Sequence, residues 1–535
     1  MGLPADSNKV YFYQSEDIYE SRIFFGAGAE ISYGMPSGGK FALNIFKKSV
    51  EDHKEQLKAD LKQIDKSGTY ARYWLPQGFD TKHVYAFGKS EFGSLLQSSI
   101  EYNHSHILER LSNLDTICYK LLEDNNISEE VLAAAYRKEF GKEFGDTTYV
   151  NNIILNRKMV TQSSGSIFSS VFYSMLLDFM KKNKESSVKK YAAAILQLFI
   201  CVIGQNIVND LNQDIFEKND TGLSIFDDIS TLFNIDFNRL GFPILDIVLS
   251  SKVTCISDEK LNNFEQFIEE FFSLLLEEIF SVALDYRKLI DEHFRYLYTP
   301  QTQWAKFTKM VIFLRVAKEY ISELEKNIDY TADGYYGDLR QFSQSVEINA
   351  LGTSNYTNVL RNAVDKEILK KCEIKYLNGS VDYFYNPYKN SVEEIHTGDT
   401  CLSDGQIIVP FIFTQSGLKP LTSIKMSKEY VSLYELYVQL DAIICIGFGF
   451  NSDDAHINGI FRQLVDEEKK HLFYVTNSHD TRIIKQKLQK NIRLSSESMK
   501  GRIHIISVDS DRKCEGLLWT LYIEEQINNI KSQQG

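Results

Sequence analysis

The sequence predicts an α/β protein in which a parallel sheet is split by a large α-helical insertion. Three observations carry that reading. SRIFFGAGAE, residues 21–30, is a short apolar run that stops at glycine, as a buried strand does on entering a tight turn. From about residue 43 to 345 the apolar residues recur at helical spacing. From residue 346 short β-branched or aromatic runs alternate with helical patterns, as in a parallel sheet with crossover helices.

In chain order, the first strand covers residues 22–25. The helical block follows. YAAAILQLFICVIG, residues 191–204, is too short to span a membrane and contains Gln197, so it is read as a buried helix. Residues 264–290 place Phe264, Phe267, Ile268, Phe271, Leu275, Ile279, Val282 and Tyr286 on one helical face, and residues 304–328 repeat the pattern. The later strands are expected in VEINAL, CEIKYL, QIIVPFIF, DAIICIGFGF, KHLFYVTN and GRIHIISVD. Helices are expected in SKEYVSLYELYVQL, AHINGIFRQLVDEEKK and TRIIKQKLQKNI. Residues 1–45 and 346–535 then form one discontinuous domain, with residues 46–345 as the inserted helical domain.

Composition bounds the function. A chain of 535 residues is too long for one ordinary core. With 35 Phe and 30 Tyr the core is expected to be aromatic-rich. A formal net charge of −13 lacks the basic footprint of a nucleic-acid binder, so no direct nucleic-acid binding is expected. The 7 cysteines are far apart and form no Cys-x-x-Cys pair, which argues against a zinc site and for reduced thiols in the cytoplasm. The opening MGLPADSNKV has no apolar core of the secretory kind.

Ligands of such sheets bind beyond the C-terminal strand ends, near the point where strand order reverses, so the residues just after each strand matter most. After the first strand come Gly26, Ala27 and Gly28, small enough for backbone N–H groups to approach phosphate oxygens. A tight turn alone also explains them, and Ile31 stands where a dinucleotide fingerprint has its third glycine. His104-x-His106 is a poor metal pair unless it lies in a strand, and His396 and His456 are read as surface residues near the site. Asp453 and Asp454 are read as helix caps.

The fuller pattern, Gly26-Ala27-Gly28-Ala29-Glu30 followed by Gly34-Met35-Pro36-Ser37, resembles the first NAD-binding loop of the sirtuins and their bacterial relatives, with Glu30 where Ser is usual. Later segments match in order: Ser354-Asn355-Tyr356, then Asn378-Gly379-Ser380, then the Gly447-Phe448 stretch of CIGFGFNSDD, then Asn477 and Asp509, each after an expected strand. The resemblance implies a Rossmann-like sheet with NAD as substrate and no zinc. It implies contacts to NAD from Gly26, Ala27, Gly28, Glu30, Gly34, Pro36, Ser37, Ser354, Gly447, Phe448, Asn477 and Asp509. Asn355 would orient ribose or water, and residue 378 would hold the ribose hydroxyls and accept a proton.

Two further departures from the family fall in the places that matter most. Its acidic residue is Thr357 here, and its catalytic histidine is Asn378. An amide is no general base near neutral pH, so turnover is expected to be impaired while binding persists. The implied activity is NAD+ hydrolysis, as an NAD-depleting effector of bacterial antiphage abortive infection. Such proteins are homo-oligomers switched on by a phage protein or a partner defence subunit. The alternatives are a non-catalytic NAD or ADP-ribose sensor or scaffold, and an NAD-dependent deacylase or ADP-ribosyltransferase.

Overall fold

The computed structural model describes residues 19–36, 38–88, 91–92, 100, 103–146, 167–183, 186–203, 242–283, 295–342, 346–395, 402–412, 423–439, 442–478 and 480–534. The chain divides into two compact units, one from Met1–Ser37, His53–Val84 and His293–Gly535, the other from Gly38–Asp52 and Tyr85–Glu292. Residues 53–84 and 293–345, expected in the helical block, therefore cluster with the sheet.

The described strands of the first unit are β1 (Tyr19–Phe25), β2 (Val346–Thr353), β3 (Glu373–Tyr376), β4 (Gly379–Asn386), β5 (Ser391–Glu394), β6 (Leu402–Ser403), β7 (Gln406–Ile407), β8 (Val409–Ile412), β9 (Ala442–Ile446), β10 (His471–Thr476), β11 (Ile503–Ser507), β12 (Lys513–Cys514) and β13 (Leu517–Leu518). Six of them form a parallel sheet in the order β11-β10-β9-β1-β2-β3. The α/β expectation is met by a Rossmann-like sheet of this kind.

Both faces of the sheet are covered, so the strands read as continuous apolar runs. Ile23 and Phe25 of β1 point with Ile444, Ile446, Phe473 and Val475 into one core, which Trp519 and Ile523 of the helix Trp519–Gln534 complete. Phe24 points the other way, with Ile443, Cys445 and Leu472, against Leu433 and Tyr437 of the helix Ile424–Val438 and Ile457 and Phe461 of the helix Ala455–Arg462. Gly352 in β2 admits this second layer: a Cβ there would lie 2.8 Å from the Tyr437 hydroxyl oxygen and 2.7 Å from the Phe24 ring.

QIIVPFIF does not join the parallel sheet. Its last residues form β8, antiparallel to β4 in a separate three-stranded sheet β5-β4-β8. The reason is the connection inside that sheet. Only residues 387–390 separate β4 from β5, too few for a crossover helix, so β5 turns back antiparallel on β4. Gly379, at φ +84°, opens β4, and a side chain there would collide with the Phe411 carbonyl oxygen at 1.9 Å.

The second unit is helical where it is described. The expected helix of residues 264–290 is described over Phe264–Ala283, with Phe267, Ile268, Phe271, Leu275 and Ile279 fully buried, and residues 284–290, Tyr286 among them, lie outside the described residues. Its N-terminal part carries the stacked pair Phe172–Phe271, and Lys47 pairs with Glu277. YAAAILQLFICVIG falls in the helix Lys189–Ile203. Among the described residues no helix is long and apolar enough to cross a membrane. His104 and His106 both lie on the helix His104–Ser112 and are exposed, two residues apart on different faces.

Candidate functional site

Strand order reverses at β1, which lies between β2 and β9. The loops that leave the C-terminal ends of these strands are packed backbone to backbone. The Gly26 amide donates to the Ile446 carbonyl at 2.9 Å, and the Gly28 amide to the Gly447 carbonyl at 2.9 Å. A Cβ on Gly26 would lie 2.4 Å from the Phe448 Cα, and one on Gly28 2.8 Å from the Gly447 Cα. The first use of these glycines is therefore to let two loops meet. Their amides face protein carbonyls, and Ala27 is the exposed residue of the three. The segment that follows, Ala27–Tyr33, is a 3-10 helix, whose short run offers less of a dipole than an α-helix would.

Asn355 is 6% exposed and is held by hydrogen bonds on several sides. Its amide N–H donates to the Thr353 hydroxyl at 3.0 Å, and Thr353 in turn donates to the Phe25 carbonyl at 3.1 Å. Its Nδ2 donates to the Gly26 carbonyl at 3.2 Å and to the Tyr336 hydroxyl oxygen at 3.3 Å. A carbonyl only accepts, so Nδ2 is fixed on that side and Oδ1 is turned from it. The β1 loop and the residue after β2 are thereby tied together.

Beneath this amide lies Glu30, 3% exposed. Its carboxylate accepts from Thr357 Oγ1 at 2.7 Å and from the Tyr336 hydroxyl at 3.0 Å. Two of the three departures, at positions 30 and 357, thus touch each other. Glu30 is expected among the NAD contacts, but its carboxylate faces Thr357 and Tyr336. Burial pushes its pKa up to about 7, against the hydrogen bonds from Thr357, Tyr336 and Asn355, which pull it down. An acid raised from 4.5 holds its proton longer when folded, so it favours the folded state below about pH 4.5. That contribution is lost as pH rises to about 7, on the order of 3 kcal/mol in all. Glu30→Gln is expected to flatten the wild-type fall in stability across that window, as read by urea unfolding at several pH values. Parallel curves for the two proteins would count against it.

Asn378 occupies the turn between β3 and β4 and is 4% exposed. Its Nδ2 donates to the Ser354 carbonyl at 3.1 Å, and its Oδ1 lies 3.1 Å from His456 Nε2. His456, read from sequence as a surface residue, is half-buried at the start of the helix Ala455–Arg462. Its ring packs 5.6 Å from that of Tyr430, whose hydroxyl donates to the Leu377 carbonyl at 2.6 Å. The structure thus brings together Gly26, Gly28, Ser354, Asn355, Asn378 and Gly447. Sequence reading missed Tyr336 and undervalued His456. Neither sits in a recognisable motif, and both reach the site through contacts distant in sequence.

Other expected residues are placed apart from this cluster. The Phe448 side chain is in the core, edge-on to Phe24 at 5.2 Å, so only its backbone is at the site. Gly34 closes the 3-10 segment at φ +91°, and Pro36 is half-buried after it. Asn477 is exposed after β10. Asp509, exposed after β11, accepts from the Asp511 and Lys513 amides at 2.9 and 2.8 Å and so shapes its own turn. Asp454 is buried at the N-cap of its helix, the position read for it, and makes no side-chain cap bond there. Ser37, His396 and the side chain of Asp453 lie outside the described residues. Among the described residues no group of three His, Cys, Asp or Glu is placed to hold a metal ion.

In comparisons with known proteins, no family model and no curated protein matches the chain.

Proposed function

We propose that the chain is an NAD+ hydrolase, releasing nicotinamide and ADP-ribose, with its site at the ends of β1, β2, β3 and β9. The observation that carries the reading is the convergence of Gly26, Asn355, Asn378 and Gly447 where strand order reverses. Residues quoted for the sirtuin resemblance from segments hundreds of residues apart meet there in one hydrogen-bonded group.

Nicotinamide leaves as a neutral base from a cationic ring, so its departure needs no acid. The demand on the protein is to hold the ribose as positive charge develops on it and to place a water. Asn355, with Nδ2 committed to the Gly26 carbonyl, turns an amide oxygen towards such a ribose hydroxyl or water. An effector role in antiphage defence, oligomerisation and activation by a phage protein or partner subunit belong to this proposal and rest on the resemblance.

A second reading is a non-catalytic NAD or ADP-ribose binding module, favoured by the amide at position 378. Incubation of the purified chain with NAD+ separates the two. Nicotinamide release is the expected result. ADP-ribose binding without release would favour the module, and neither binding nor release would sink both readings.

A further inference from the structure

We propose that Tyr336, held by Glu30, is a positioning residue that takes up the second N–H of the Asn355 amide, so that this amide meets the substrate as an acceptor alone. The proposal rests on the hydrolase reading and extends it to a residue outside the motifs that suggested it.

The direction of each hydrogen follows from the partners. An asparagine amide nitrogen carries two hydrogens and does not accept. Asn355 Nδ2 has one acceptor for each, the Gly26 carbonyl at 3.2 Å and the Tyr336 hydroxyl oxygen at 3.3 Å. The Tyr336 oxygen therefore accepts from Asn355, and its own hydrogen goes to Glu30 Oε1 at 3.0 Å. Burial first, and then the charge of Glu30, push the Tyr336 hydroxyl well above its usual range, so it keeps that hydrogen. Thr357, donating to the same Glu30 oxygen at 2.7 Å, forms the far end of the chain. Among the described residues no protein group hydrogen-bonds Asn355 Oδ1. The amide has one polar atom left to offer, and it accepts. Its match is the O–H of a ribose hydroxyl or of water, not a phosphate or carbonyl oxygen.

The hydroxyl is held in place by its ring and by both ends of its segment. Tyr336 is fully buried in the short helix Tyr335–Asp338. Its ring stacks on that of Tyr33 at 5.2 Å and stands edge-on to Phe25 at 4.9 Å. The Tyr33 hydroxyl accepts from the Tyr336 and Gly337 amides at 3.2 and 3.1 Å. Asp338 fastens the other end, accepting from Arg512 Nε at 2.6 Å, Arg512 Nη2 at 3.0 Å and Trp519 Nε1 at 2.9 Å. None of these contacts uses the Tyr336 oxygen, so Tyr336→Phe removes the hydroxyl and leaves the packing.

The test is a double-mutant cycle on nicotinamide release by the full chain, with Tyr336→Phe, Asn355→Ala and the two combined. Tyr336→Phe is expected to lower kcat by about 2–10-fold, the usual worth of one hydrogen bond. KM is expected to stay within about twofold, because the loops that line the site are unchanged. In the Asn355→Ala background the same change is expected to cost nothing further, because a residue that acts through Asn355 then has nothing to position. A role in packing alone would lower the rate by the same factor in both backgrounds. Equal losses in the two backgrounds, or wild-type kcat in Tyr336→Phe, would overturn this assignment and leave the hydrolase reading standing. If the wild type releases no nicotinamide, the hydrolase reading is overturned and this assignment falls with it.

Discussion

Asn355→Ala is expected to lower nicotinamide release by about 10²–10³-fold, the usual effect of removing one preorganised polar group at a site of developing charge. The argument is geometric. The Asn355 amide is anchored through Nδ2 on the Gly26 carbonyl and the Tyr336 oxygen, and Tyr336 is held by the buried Glu30. Its oxygen is therefore positioned before any ligand arrives, and positioning of that kind acts on the reaction more than on ground-state binding. ADP-ribose affinity is expected to change by less than about tenfold, because the loops that line the site are packed through Gly26, Gly28 and Gly447 and not through this side chain. Asn355→Asp is expected to fail as well. A carboxylate cannot donate to the Gly26 carbonyl, and it would add a second negative group close to Glu30. Initial-rate assays beside ADP-ribose titrations check this. Wild-type turnover in Asn355→Ala would remove the residue from the chemistry.

Gly447→Ala is expected to destabilise the sheet unit by about 2–4 kcal/mol. Two effects add. The position has φ +65°, where an L side chain is strained, and a Cβ would lie 2.2 Å from the Ala29 amide nitrogen, a backbone atom that cannot swing aside. Gly34→Ala is the internal comparison. It too has positive φ, +91°, but nothing lies within 4 Å of its Cβ position, so only backbone strain of about 1 kcal/mol is expected. Thermal unfolding of the two variants separates close packing from backbone strain, and equal melting temperatures would contradict the close contact between the β1 and β9 loops.

Much of this architecture was legible in the residues. Apolar runs ending at glycine located β1 and β9, because a strand buried on both faces leaves a continuous apolar signature. The long aromatic helix of the second unit was plain from its spacing, since its buried face repeats every turn. The antiparallel sheet β5-β4-β8 was not legible. β8 is as apolar as the parallel strands, and its direction follows from its pairing with β4, which the residues of β8 do not reveal. The assignment of residues 53–84 and 293–345 to the sheet unit was likewise hidden, because helical spacing shows which face is buried but not against what.

At the site the same division holds. The sequence by itself determined the α/β class, the placement of small residues and amides after strands, and the order of the segments, because these are local or periodic properties of the chain. Only the tertiary structure decided what those residues touch. It set Glu30 against Thr357 and Tyr336, and His456 against Asn378, across 327 and 78 residues of chain for Glu30–Thr357 and His456–Asn378. It also turned the amides of Gly26 and Gly28 onto the β9 loop. Hydrogen-bond partners are chosen by which strands lie side by side, and strand order is a property of the packed sheet that no stretch of sequence carries alone.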